Sequence, residues 1–76
     1  MKLKPVSAIK VIKALERIGF KAVRQSGSHV ILKHNDGRMT VVPVHSGELI
    51  GRGLLRRIIN EISLEKEEFL RFLEEV

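Results

Sequence analysis

Residues 29–43 read HVILK, HNDGR, MTVVP: two short apolar runs split by Asn35-Asp36-Gly37. The runs are too short for stable helices and rich in β-branched residues, which suit a pleated surface. Asn-Asp-Gly tolerates the backbone angles that a tight reversal needs. The centre of the chain is therefore expected to be an antiparallel hairpin. A lone hairpin is not stable in water, so the flanking segments must supply both a further strand and a cover for one face.

Upstream, Ser7 is placed to cap a helix, with Pro5 and Val6 leading in. Ala8, Val11, Ile12, Leu15 and Ile18 follow at helical spacing, with Lys10, Lys13 and Arg17 on the other side. Gly19 is expected to end that helix in a left-handed conformation. Phe20–Gln25 alternates loosely as a first strand, and Ser26-Gly27-Ser28 turns the chain into the second, His29–Lys33. The third strand is expected over Met39–Val42, stopped by Pro43, which has no N–H for a central ladder. Val44–Arg52, with Gly47 and Gly51, is read as a loop. Leu54, Leu55, Ile58, Ile59 and Ile62 then form a second helical stripe. Ser63 is expected to cap a short third helix carrying Glu65 and Glu67 in its first turn. The fold class is α+β in the order α-β-β-β-α-α: one domain over residues 1–76, a three-stranded antiparallel sheet with helices on one face.

With 76 residues the chain has room for one small core. It has no cysteine, so disulfides and thiolate metal sites are excluded. Lys10 and Lys13 break the first apolar stretch, so neither a signal peptide nor a membrane span is expected, and the reading is cytoplasmic. Charge is uneven. Residues 1–60 hold 12 Lys/Arg against 3 Asp/Glu, a net of +9, and residues 61–76 hold 2 against 6, a net of −4. A basic body with an acidic tail suits a polyanionic partner, although a solvated surface would look the same.

Alternation along the second strand puts Val30 and Leu32 on one face and His29, Ile31 and Lys33 on the other. Val30 and Leu32 make the better core pair, which turns His29 and Lys33 to solvent, just after a Gly27 turn that keeps the approach open. His29 is then either an ordinary surface histidine or a proton-transfer group. His45, in PVHSGEL, is either a second acid/base or phosphate contact, or a loop histidine bonded to nearby backbone. His34, of opposite parity to His29, reads as structural or idle. Outside the acidic tail the carboxylates are Glu16, Asp36 and Glu48, too scattered for a Mg²⁺ site, and three histidines without carboxylate partners make a poor zinc site. No cofactor motif is present. RNA suits such a chain because its 2′-hydroxyl is a built-in nucleophile, leaving the protein only proton transfer and charge compensation. Arg52, Arg56 and Arg57 open the second helix as either a phosphate dock or a solvated face. Only Phe20, Phe69 and Phe72 are aromatic, all at core-like positions, so recognition of backbone and 2′-hydroxyls fits better than base stacking. A DNA-binding helix-turn-helix made from the last two helices fits poorly, because the second carries Glu65, Glu67, Glu68, Glu74 and Glu75.

These pieces together resemble the HicA (YcfA-like) family of toxin–antitoxin systems. The matching residues are Gly19-Phe20, Gly27-Ser28-His29, Asp36-Gly37-Arg38, Val42-Pro43 with His45, Glu48-Leu49, Gly53-Leu54, Ile58-Ile59, Leu64 and Glu67-Glu68-Phe69. Leu54 and Ser63 depart from it, standing where Thr and Gly are common. The resemblance implies a small version of the double-stranded-RNA-binding domain acting as an mRNA interferase, an endoribonuclease, and the scattered carboxylates lead to the expectation that it works with no metal or other cofactor. It implies His29 as the catalytic residue and a HicB-like antitoxin as partner. On this reading Arg24, Ser28 and Lys33 near the sheet, His45 beyond it, and Arg52, Arg56 and Arg57 on the helix contact the RNA. A non-catalytic RNA-binding module of the same fold is the alternative.

Overall fold

A computed structural model describes residues 2–76. Helix α1 spans Ala8–Ile18, and the Ser7 side chain accepts the Lys10 N–H at 3.2 Å, as the capping pattern predicts. Gly19 follows at φ 117°, and the amides of Gly19 and Phe20 return to the carbonyls of Glu16 and Leu15. Because its amide closes the helix, Phe20 does not start the strand as expected. It plugs the core at 1% exposure, and strand β2 begins one residue later, over Lys21–Ser26. Two short strands flank the main sheet in sequence: β1 is Val6–Ser7, and β5 is Leu49–Ile50.

The main sheet has the order β2-β3-β4, with β3 over His29–Lys33 and β4 over Met39–Pro43. Both pairings are antiparallel. Val30, Leu32, Thr40 and Val42 form the buried face, packed with Val11, Leu15, Leu55, Ile58 and Phe69 into one core. This is the α+β architecture expected, and its element order is consistent with a double-stranded-RNA-binding-domain-like arrangement. Every residue of β2 is exposed, so this edge strand hangs off the covered part of the sheet.

Two further expectations are corrected. Residues 44–52 are not all loop. Leu49 pairs with Ser7 and Ile50 with Val6, tying the start of the chain to the approach of helix α2, Arg52–Glu61. A two-residue strand has no periodicity to read, and its partner is remote in sequence. Ser63 does not cap the third helix. It sits at φ 56°, in the left-handed region, with its amide on the Asn60 carbonyl and that of Leu64 on Ile59. It therefore terminates α2, and helix α3 starts at Lys66 behind Glu65. A left-handed conformation costs a non-glycine residue about 1–2 kcal/mol, which glycine's greater unfolded-chain freedom offsets by about 0.5–1 kcal/mol. Ser63→Gly is thus expected to stabilise the domain by about 0.5–1 kcal/mol in urea unfolding. No gain would mean that the strain is relieved locally.

The hairpin turn is locked to the helical layer. Arg38 pairs with Asp36 at 2.9 Å, lies 5.3 Å over the Phe20 ring and donates to the Ile62 carbonyl at the end of α2. His34 meets Phe20 edge-on at 5.2 Å. The Arg38 backbone N–H, with its guanidinium alongside, holds the Asp36 carboxyl below the usual carboxylate range. His34 thus has the structural role that its parity suggested.

Candidate nucleic-acid interface

The face of the sheet opposite the core is assembled row by row from residues that sit directly across from one another. One row is Ser26, His29 and Pro43; the next is Arg24, Ile31 and Val41; the third is Lys21, Lys33 and Met39. His29 is exposed, and among the described residues no hydrogen bond or ion pair claims its ring. Arg24 and Lys33 lie on this same face.

Lys21 joins them there, and the sequence reading missed it. In an unbroken strand residues 21 and 24 have opposite parity and point to opposite faces. The register shift between Ala22 and Arg24 inserts Val23 as an extra residue and restores both cations to one side. Nothing in the alternation of KAVRQS announces that bulge. Lys21 and Lys33 are then directly opposed, and like charges so placed cost stability unless an anion joins them.

The histidine end of the sheet is extended by one rung. The Val44 N–H donates to the Ser28 carbonyl at 2.6 Å, carrying the β3–β4 pairing past the strands. His45 comes next, and its Nε2 lies 3.5 Å from the Ser28 hydroxyl. Ser28 is half-buried and His45 exposed.

The three arginines of α2 diverge. Arg57 donates to the Val41 carbonyl at 3.2 Å, filling an acceptor on the sheet's edge strand, and lies 3.8 Å from Glu61. Thr40 donates to Glu61 at 2.7 Å and is the only buried polar residue among those described. These contacts put the second half of α2 beside Thr40 and Val41 of β4. Arg52 is the first residue of that helix and is exposed. Arg56 turns instead into a groove with Leu3, Ile59, Asn60 and Leu64, away from the sheet edge.

Among the described residues no three His, Asp or Glu side chains converge where a metal ion could be held. No helix there is long and apolar enough to cross a membrane. The fold and this face define a small α+β domain with a cationic sheet surface around an exposed histidine. A family model described as the HicA toxin of bacterial toxin–antitoxin systems matches residues 9–64, about three quarters of the chain. The chain belongs to the HicA toxin family. No curated protein matches it in sequence. As a member of a toxin–antitoxin family it has an antitoxin for a partner.

Proposed function

We propose that the chain is a toxin acting as a metal-independent mRNA interferase, with His29 as its catalytic residue. The observation that carries this reading is the presence of an exposed, unclaimed imidazole on the same sheet face as Lys21, Arg24 and Lys33. The RNA backbone lies across that face, with Ser28 and His45 at its end and Arg52 and Arg57 extending the positive surface along α2, while Arg56, turned into its own groove, takes no part. His29 takes the proton of the 2′-hydroxyl as its oxygen attacks the adjacent phosphorus. Lys33, Arg24 or Arg52 offsets the charge that builds on the phosphoryl oxygens. The bond to the 5′-oxygen breaks, leaving a 2′,3′-cyclic phosphate and a 5′-hydroxyl. The scatter of carboxylates supports chemistry in which the substrate provides its own nucleophile. A HicB-like antitoxin silences the toxin by covering this face, where the cations would meet its acidic residues. The site of action is the cytoplasm, where mRNA is.

The purified chain is expected to cut a defined mRNA in excess EDTA and to leave cyclic-phosphate and 5′-hydroxyl ends. Cleavage that requires Mg²⁺, or 5′-phosphate ends, would overturn the mechanism. Tight RNA binding without cleavage would favour the non-catalytic module.

A further inference from the structure

We infer that His45 is a second catalytic group, the general acid that protonates the departing 5′-oxygen, and that the Ser28 hydroxyl positions it. This deepens the ribonuclease reading above and rests on it. The pairing of β3 with β4 lays Pro43 beside His29, and the extra rung from Val44 to Ser28 brings the chain back past the start of β3. His45 is thereby brought to Ser28, the residue that precedes His29 in sequence, with its Nε2 3.5 Å from the Ser28 hydroxyl.

The Ser28 contact has a chemical consequence. In the inferred arrangement Nε2–H donates to the Ser28 hydroxyl oxygen, which keeps that proton in place and makes Nδ1 the nitrogen whose proton comes and goes. In the reaction His29 gains the 2′-hydroxyl proton while the new P–O2′ bond forms. The P–O5′ bond breaks with its electron pair on the 5′-oxygen, and His45 Nδ1–H gives that oxygen a proton. The chain ends with one proton moved from His45 to His29, and exchange with water restores both. One histidine alone would have to serve both ends of an in-line displacement, where the attacking and leaving oxygens lie on opposite sides of phosphorus.

A substrate carrying sulfur in place of the bridging 5′-oxygen tests this, because a thiolate leaves without being protonated. On ordinary RNA, His45→Ala is expected to lower kcat about 100- to 10,000-fold, the usual contribution of one acid/base group. On the 5′-thio substrate, His45→Ala should regain most of the wild-type rate, while His29→Ala should not. Ser28→Ala should show a smaller loss with the same rescue, and Ser28→Thr, which keeps the hydroxyl, should restore cleavage of ordinary RNA. Equal losses on both substrates, or a change in KM alone, would make His45 a binding residue and overturn the inference. If the wild type cleaves with cyclic-phosphate ends and His45→Ala matches it, this inference fails while the role of His29 stands. If the wild type cleaves neither substrate, both fail together.

Discussion

Replacing His29 by alanine is expected to abolish RNA cleavage and leave the fold intact. The side chain lies at the solvent end of β3, opposite Pro43 and Ser26, with no hydrogen bond or ion pair to lose among the described residues. Surface changes of this kind shift stability by about 0.5 kcal/mol or less. Loss of a general base lowers a rate by about 100- to 10,000-fold. The measurement is cleavage of a defined RNA by wild type and His29→Ala, with thermal unfolding recorded on the same preparations. Matching melting curves with wild-type cleavage by the variant would remove His29 from the chemistry. Induction in growing cells provides a second readout: the wild type should arrest growth, and the variant should not.

The largest effect on stability is expected at Phe20. Its ring is almost wholly buried, met edge-on by His34 and covered by the Arg38 guanidinium. Phe20→Ala removes a large core side chain and leaves a cavity, at a cost of about 3–5 kcal/mol. A domain of 76 residues has roughly 4–11 kcal/mol to lose, from about 0.05–0.15 kcal/mol per residue. The melting temperature should fall by more than about 12 °C, since each kcal/mol is worth roughly 4–8 °C at this size. The ring is also the surface on which Arg38 rests while it reaches the Ile62 carbonyl, so the hairpin should loosen from α2. Phe20→Leu, which keeps most of the apolar volume, should cost about 1 kcal/mol. A similar small loss for alanine would show that the core closes over the gap.

Much of this was legible in the sequence, for local reasons. Ser7 and Gly19 bracket α1 because a cap is a contact between near neighbours in the chain. The exposure of His29 followed from the alternation of β3 and from Val30 and Leu32 being the better core pair. Ser63 reads as a helix start because a serine before Glu residues resembles one, whereas its backbone is set by the end of the preceding helix. The pairing of Leu49 with Ser7 and the bulge at Val23 left no local signal.

The sequence by itself determined the order of the three helices and of the three strands of the main sheet, the family, and which side of β3 faces solvent, because caps, turns and alternation act over a few residues. Only the tertiary structure decided that Lys21 shares a face with His29, that Arg57 and Arg56 part company, and that His45 returns to Ser28. Those outcomes depend on strand register and on how α2 lies against β4, and both are settled by core packing between segments far apart in the chain.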